Sequence, residues 1–173
     1  KIKVESKLNV GSTFTIVIPF QIDSSPSLAK KQSGSDTSDN IKGMRILVAE
    51  DNELNSEIAK ELLEDAGAVV TLAKDGREAV SIFKQSHICE FDLILMDIMM
   101  PTLNGYEATQ IIRSLSRTDA QTVPIVAMTA NAFSHDIQKA KQVGMNDHIA
   151  KPIDVKKMYE VISRYNKGCQ TIT

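Results

Sequence analysis

The chain has 173 residues, of which 42% are hydrophobic and 24% are charged, and its formal net charge is −2. This composition is ordinary for a globular protein, and no apolar run approaches the roughly 18 residues that suggest a membrane helix. Binding to a phosphate backbone needs a basic face, so the charge argues against nucleic acid as a direct partner.

The first 20 residues predict a β-hairpin. Apolar and polar residues alternate at 2–4 and 14–18, on either side of the Gly-containing segment LNVGS at 8–12. An isolated hairpin is marginal in water, so we expect this one to pack on a neighbouring domain or to be the remnant of a larger sheet. No secretory signal is visible from Lys1 onward, and a chain that begins with Lys is expected to be part of a longer one.

The next segment, 21–43, has the composition of a flexible linker. It is rich in Ser, Asp, Gly and Lys, and its large apolar residues are few.

From Met44 onward, five apolar runs alternate with five segments of helical periodicity. This pattern predicts an α/β fold with a doubly wound parallel sheet and helices on both faces. The predicted strands are RILVA (45–49), VVTLA (69–73), FDLILM (91–96), PIVAM (124–128) and HIA (148–150). The predicted helices are one that carries Leu54, Ile58, Leu62 and Leu63, and four more at about 75–85, 105–115, 132–143 and 154–165.

The two cysteines, Cys89 and Cys169, lie in no CxxC or His-flanked pattern. They are predicted to be free thiols in a reducing compartment. The methionines at 96, 99 and 100 have no interleaved His or Cys, so they are interpreted as packing residues.

Polar residues stand where four of the predicted strands end. They are Glu50 and Asp51 after the first strand, Asp97 after the third, Thr129 after the fourth and Lys151 after the fifth. In a doubly wound sheet, ligands bind outside the carboxyl ends of the strands, so these side chains are expected to share one rim.

Each of these residues also has a purely structural interpretation. Asp51 or Asn52 could cap the helix that follows, and Thr129 could cap the next one. Asp97 could open a turn, and Lys151 could extend from a strand end into solvent. The structural interpretations weaken when three acids, a hydroxyl and an ammonium group occupy one rim.

Three converging carboxylates repel one another unless a cation intervenes, and oxygen ligands suit Mg²⁺. An Asp carboxylate is a known nucleophile towards phosphorus. Phosphoryl transfer then requires the charge on three equatorial oxygens to be neutralised, which Mg²⁺, Lys151 and Thr129 could do.

The chain resembles the receiver domain of two-component response regulators over 44–166. The motifs are VAEDNELN (48–55), MDIMMPTLNGYEA (96–108), PIVAMTANAF (124–133) and GMNDHIAKPI (144–153). The resemblance implies a flavodoxin-like (βα)5 fold with strand order 2-1-3-4-5 and a Mg²⁺-dependent phosphoacceptor, for which Mn²⁺ could substitute. The roles it implies are Asp97 as phosphoacceptor, Glu50 and Asp51 as the metal-binding acids, the Met99 carbonyl as a further ligand, Thr129 as the switch hydroxyl and Lys151 as the phosphate-binding ammonium group.

The same resemblance implies a cis peptide bond before Pro152, which would direct Lys151 into the site. His148 stands where the family usually has Tyr or Phe as a second switch residue. We interpret His148 as a partly buried hydrogen-bonding residue in preference to a pH sensor.

The first 20 residues resemble the closing strands of a histidine-kinase ATP-binding domain. Gly11, Ser12, Phe14 and Pro19 match that pattern, whereas Asn9 stands where a second Gly is common. The phosphoacceptor-histidine region and the nucleotide-binding boxes are absent from the sequence. The resemblance therefore implies the end of a hybrid sensor kinase, with a kinase remnant at 1–20, a linker at 21–43, a receiver at 44–166 and a tail at 167–173.

In that setting the implied partners are a histidine kinase core or a histidine phosphotransfer protein, together with pairing of two receivers. The implied location is the cytoplasm, and membrane attachment would come only from parent segments before Lys1. A stand-alone response regulator is the alternative.

Three other classes of protein fit the same residues less well. A flavin- or nucleotide-binding module needs a Gly- or Ser-rich phosphate loop after the first strand, where EDNEL has acids. An aspartate-nucleophile phosphatase usually has a second acid two residues after the nucleophile, where Met99 stands. A phosphorylation-independent interaction module would need neither the acid pair nor Thr129 and Lys151.

Overall fold

The computed structural model describes residues 1–19, 39–130 and 134–166. The chain divides into two compact units, Lys1–Ser33 and Gly34–Thr173, and each is described by itself. None of the described helices has the length and apolar character needed to cross a membrane.

The described part of the first unit, residues 1–19, contains the predicted hairpin. Strands β1 (Ile2–Lys7) and β2 (Gly11–Ile16) pair antiparallel, with Val4 opposite Phe14. The turn between them contains Asn9 with φ of 61°, and β2 begins at Gly11 with φ of 135°, values that Asn and Gly tolerate better than other residues.

The second unit is a five-stranded parallel sheet with helices between the strands. Its strand order is β4-β3-β5-β6-β7, which is the predicted 2-1-3-4-5 order when the strands of this sheet are counted alone. Its strands are β3 (Arg45–Ala49), β4 (Val69–Ala73), β5 (Leu93–Asp97), β6 (Ile125–Thr129) and β7 (Asp147–Ala150). Its helices are α1 (Glu53–Asp65), α2 (Gly76–Gln85), α3 (Gly105–Ser114), α4 (Ser134–Gln142) and α5 (Val155–Ser163).

The central strands are buried on both faces, as their continuous apolar runs predict. Alternate residues of β3 and β5 divide between two core clusters: Leu47 and Ile94 belong to one, and Val48 and Leu95 to the other. All four side chains are inaccessible to solvent. The sheet is therefore a rigid platform, and the residues that follow its strands are held by two packed layers.

Two 3₁₀ helices were not predicted. Asp39–Ile41 forms one of them, and the Ile41 side chain is completely buried in the core although it lies in the predicted linker. The other is Thr118–Gln121, between α3 and β6. The remaining linker residues, up to 38, lie outside the described residues, as do the predicted helix positions 132 and 133 and the tail at 167–173.

The prediction of free thiols is wrong for Cys89, which is disulfide-bonded. Cys89 lies in the loop between α2 and β5, and its backbone N–H donates to Asp119 Oδ2 over 2.8 Å. Spacing along a sequence does not reveal which sulfur atoms meet in the fold. Cys169 lies outside the described residues.

Candidate functional site

The polar residues identified at the strand ends do stand at the carboxyl ends of the parallel strands. Glu50 follows β3, Asp97 and Thr129 are the last residues of β5 and β6, and Lys151 follows β7. Because these strands are neighbours in the sheet, their ends meet at one edge.

Three carboxylates converge at this edge. One oxygen each from Glu50, Asp51 and Asp97 lies within 4.8 Å of the other two. Glu50 and Asp97 are buried, whereas Asp51 is exposed. Such a set of oxygen donors, open to solvent on one side, suits a hard divalent cation that keeps some of its water ligands.

The ammonium group of Lys151 bridges two of these acids. Its Nζ lies 2.6 Å from Glu50 Oε2 and 2.7 Å from Asp97 Oδ2. The Lys151 backbone N–H donates to the Thr129 carbonyl over 2.8 Å, and the Lys151–Pro152 peptide bond is cis. A cation that binds the three acids would therefore compete with an ammonium group that is already in place.

The pKa values of both Asp97 and Lys151 are raised. Burial raises the pKa of Asp97, more than the hydrogen bond and the charge of Lys151 lower it. For Lys151, burial opposes the charge, but the hydrogen bonds to Asp97 and Glu50 outweigh it and raise the pKa. Lys151 therefore remains charged at neutral pH, and Asp97 holds a proton more readily than a solvated Asp does.

The start of α1 is organised by two asparagines. Asn52 caps the helix, since its Oδ1 accepts the Asn55 N–H over 3.0 Å. Of the two capping residues that the sequence left open, the structure thus selects Asn52 over Asp51. Asn55 Nδ2 donates to Glu50 Oε1 over 2.9 Å. Asn55 had no predicted role, and the only available signal was its place three residues after a capping residue.

The loop after β5 surrounds the Asp97 carboxylate. The Met99 N–H donates to Asp97 Oδ1 over 3.1 Å. Met96 and Met100 are buried, but the Met99 side chain is 75% exposed, so the packing interpretation is wrong for Met99. Gly105, the first residue of α3, lies against the Asp97 carbonyl so closely that a Cβ there would overlap it.

Thr129 and His148 lie on the neighbouring strands β6 and β7, two positions apart in the pairing register. Thr129 is buried and pairs with Ala150, and His148 pairs with Ala127. The half-buried His148 donates its backbone N–H to Asp147 Oδ1 over 2.8 Å, and its ring Nδ1 is 3.7 Å from the same oxygen. Asp147 Oδ2 also accepts a hydrogen bond from Arg164, the residue after α5, so His148 lies beside an acid that already has a cationic partner.

A doubly wound sheet with three acids, a hydroxyl and an ammonium group at its carboxyl edge defines a receiver-type protein. The family model of the response regulator receiver domain matches residues 46–163. The chain therefore belongs to the response regulator receiver domain family.

Relatives and solved structures agree with this assignment. The chain is 42% identical over 121 residues to hybrid signal transduction histidine kinase I of Dictyostelium discoideum, covering 69% of the chain and 7% of that protein. It is 36% identical over 132 residues to the signal transduction histidine-protein kinase BarA of Escherichia coli, covering 76% of the chain and 14% of that protein. The chain thus spans only a small part of these curated relatives.

Among solved structures, the receiver domain of sensor histidine kinase PA1611 from Pseudomonas aeruginosa matches with a TM-score of 0.64 and 38% identity. The match covers 72% of this chain and 98% of that one, whose active-site cleft holds a coordinated magnesium ion. The receiver domain of Ssk1 from Saccharomyces cerevisiae, solved with the histidine phosphotransfer protein Ypd1, matches with a TM-score of 0.65 and 31% identity. That match covers 73% of this chain and 90% of the other.

Proposed function

We propose that this domain is a Mg²⁺-dependent phosphoacceptor that takes a phosphoryl group from a phosphohistidine onto Asp97. The observation that carries the proposal is the bridge from Lys151 Nζ to Glu50 and Asp97, in a cluster completed by Asp51. A cationic group beside a buried carboxylate can bind the oxygens of a phosphoryl group that arrives there.

The proposed step is a displacement at phosphorus. An Asp97 carboxylate oxygen forms a bond to phosphorus while the bond from phosphorus to the donor imidazole nitrogen breaks, and the imidazole leaves with the bonding electron pair and takes up a proton. Lys151 moves from the acids to one phosphoryl oxygen, and the Thr129 hydroxyl donates to another. Glu50, Asp51, Asp97 and the Met99 carbonyl would hold Mg²⁺, for which Mn²⁺ could substitute, and the bound cation would supply charge neutralisation.

The proposed entry route for the donor lies along α1. Leu54 and Ile58 are exposed on this helix at 65% and 44%. Ile58 also lines a groove of about 310 Å³ together with Asn55, Lys151, Pro152 and Ile153. An apolar strip that leads to the Lys151 side chain suits the apolar face of a partner helix that presents a phosphohistidine. The Ypd1–Ssk1 complex supports a histidine phosphotransfer protein, or the histidine region of a kinase, as that partner.

We propose that phosphorylation shifts the domain between two pre-existing states. The change would pass from the phosphoryl group through Thr129 and His148 to the face formed by α4 and α5. Pairing of two receivers could use the same face.

The proposed parent protein is a hybrid sensor histidine kinase. Its division would be a kinase-domain remnant at 1–20, a linker at 21–43 whose last residues, with Ile41, pack into the receiver core, the receiver at 44–166 and a tail at 167–173. A match to probable histidine kinase 1 of Oryza sativa subsp. indica, 30% identical, covers 85% of the chain and so extends upstream of the receiver. The exposed apolar residues of the hairpin, such as Val4 and Phe14, support its origin in a larger sheet.

The test is intact-mass spectrometry after incubation with acetyl phosphate, with and without Mg²⁺. The wild type should gain one phosphoryl group only when Mg²⁺ is present, and Asp97→Asn should gain none. Thr129→Ala, which leaves the three acids in place, is the matched control. It should still gain the phosphoryl group, but more slowly than the wild type. Absence of any adduct on the wild type would contradict the proposal and favour a phosphorylation-independent interaction module.

A further inference from the structure

The two oxygens of the Glu50 carboxylate have different partners. Oε1 accepts from Asn55 Nδ2 over 2.9 Å, and Oε2 accepts from Lys151 Nζ over 2.6 Å. Asn55 is neutral and has a short side chain on a helix. Lys151 is charged, has a long side chain, and also donates to Asp97. One oxygen of the Glu50 carboxylate thus has a fixed partner, whereas the partner of the other oxygen can be replaced.

Asn55 departs from the pattern of α2 and α3, which have an acid at the third helical position. It is the third residue of α1, and its N–H is bonded to the capping residue Asn52. In α3 the corresponding residue is Glu107, whose carboxylate returns to the backbone N–H of the capping residue Asn104 over 3.2 Å and closes a capping box.

The equivalent residue of α2 is also an acid. Glu78 accepts the Lys74 backbone N–H over 2.8 Å, next to the helix start. An acid at position 55 would bring another negative charge towards Glu50, and it could not donate to Glu50. The Asn55 side chain does not accept a backbone N–H near the helix start, as Glu78 and Glu107 do. Its amide instead donates to Glu50 of the acidic cluster.

We propose that Asn55 is a positioning residue that holds Glu50 in the orientation needed for cation binding, an inference that rests on the proposed function. Asn55 occupies Oε1 of Glu50, so Oε2 is the oxygen at which the cation would replace Lys151. When Lys151 moves to the phosphoryl group, the Asn55 bond keeps the Glu50 carboxylate from rotating away. Hydrogen bonds of this kind to a metal ligand are typically worth ten- to a hundredfold in metal affinity.

The experiment measures Mg²⁺ affinity by isothermal titration calorimetry, without any phosphodonor. Asn55→Leu removes the donor at similar size and should weaken Mg²⁺ binding about tenfold. Asn55→Gln keeps an amide donor and should recover most of the affinity. Asn166→Leu, which removes an exposed amide just after α5, is the control and should bind Mg²⁺ like the wild type.

The outcomes separate three readings of Asn55. Equal Mg²⁺ affinity in the wild type and Asn55→Leu, with a lower free energy of unfolding, would mean that Asn55 only stabilises α1, and it would overturn the inference. Unchanged affinity with slower transfer from a phosphoprotein, but normal labelling by acetyl phosphate, would make Asn55 a docking contact and would also overturn it. A wild type that binds no Mg²⁺ would overturn the proposed function itself.

Discussion

Lys151 determines the balance of charge at the carboxylate edge. Its side chain is largely buried and pairs with two acids that are buried more deeply. Removing one partner of a buried ion pair leaves charge uncompensated, which typically costs about 3–5 kcal/mol.

We therefore expect Lys151→Met to lower the free energy of unfolding by about 3–5 kcal/mol in the absence of divalent cations. Mg²⁺ should restore more stability to this variant than to the wild type, because the cation then neutralises acids that have lost the ammonium group. Urea unfolding with and without Mg²⁺ measures both effects.

Lys60→Met is the matched control. The Lys60 side chain is 44% exposed and its Nζ lies 3.9 Å from Glu64 Oε1 on α1, and a solvent-accessible pair of this kind is worth less than about 1 kcal/mol. A Lys151→Met variant as stable as the wild type without Mg²⁺ would contradict the electrostatic account of the site.

The positions of the candidate site residues could be predicted because each one directly follows or ends a strand. Glu50, Asp97 and Lys151 are separated by many residues in the sequence, but the parallel sheet brings their chain segments to the same edge. The hydrogen bond from Asn55 to Glu50 could not be predicted in the same way. It depends on the angle at which α1 leaves the strand, and no periodicity in the sequence encodes that angle.

At the scale of elements, the α2–β5 loop is attached to the second 3₁₀ helix by hydrogen bonds to the side chains of a local, buried ion pair between Arg117 and Asp119. Arg117 Nε lies 2.6 Å from Asp119 Oδ1, and the Arg117 guanidinium also donates to the His87 carbonyl over 2.9 Å. Burial alone would raise the pKa of Asp119, but the hydrogen bonds from Arg117 and from the Cys89 N–H outweigh it and lower the pKa.

A lowered pKa in the folded state means that Asp119 stabilises the protein at neutral pH and loses that contribution as the pH falls through the folded-state pKa. Asp119→Asn should therefore be less stable than the wild type at pH 7. The difference should shrink once the pH is well below the ordinary Asp value of about 3.9.

Urea unfolding of both proteins as a function of pH measures this difference. Asp65→Asn, at an exposed position at the end of α1, controls for the loss of one carboxylate. A gap between wild type and Asp119→Asn that stays constant as the pH falls would contradict the ion-pair account.

The start of α3 is the element boundary that most directly affects Asp97. The Gly105 N–H donates to the Ile98 carbonyl over 3.1 Å, and a Cβ on Gly105 would overlap the Asp97 carbonyl. Because the obstacle is backbone, the end of β5 would have to move.

Gly105→Ala should cost about 1–3 kcal/mol of folding free energy and should slow labelling by acetyl phosphate about a hundredfold, because Asp97 is displaced. Gly67→Ala is the matched control, since Gly67 has a φ of 84° and a Cβ there would crowd the Lys42 side chain, just before β4 and away from the loop after β5. This control variant should lose a similar amount of stability but should be labelled faster than Gly105→Ala. Labelling is measured at a temperature at which both variants are folded. Equal labelling rates for the two variants would count against a role for Gly105 in positioning Asp97.

The central strands could be predicted from the sequence because their side chains are buried on both faces of the sheet. Strands β3, β5 and β6 are continuous apolar runs because helices cover both of their faces, so their existence and type were predictable. The predicted third strand began at 91, whereas β5 begins at Leu93. Asp92 precedes it and accepts from Arg45 Nε over 3.0 Å, a partner that is distant in sequence and could not be anticipated.

At the scale of the whole molecule, the core of the second unit includes residues before the predicted receiver boundary at 44. Ile41 is completely buried, and the Met44 N–H donates to the Ile41 carbonyl over 3.1 Å. The linker composition of 21–43 concealed this contact, because one apolar residue among polar ones carries little weight in a composition argument.

A chain that begins at 44 should therefore be less stable than a chain that begins at 34, by about 2–5 kcal/mol. Ile41→Ala in the longer chain should reproduce most of the loss, which urea unfolding measures. Equal stability of the two chains would mean that Ile41 contributes nothing to the receiver core.

Asp97 is the residue that we propose accepts the phosphoryl group, and locating the modification in the chain tests this directly. Borohydride reduction of the acetyl phosphate-treated protein converts an aspartyl phosphate to homoserine, and peptide mass spectrometry identifies its position. We predict homoserine at position 97 only, and only in samples that contained Mg²⁺. Modification at Glu50, Asp51 or Thr129, or labelling that does not depend on Mg²⁺, would contradict the account.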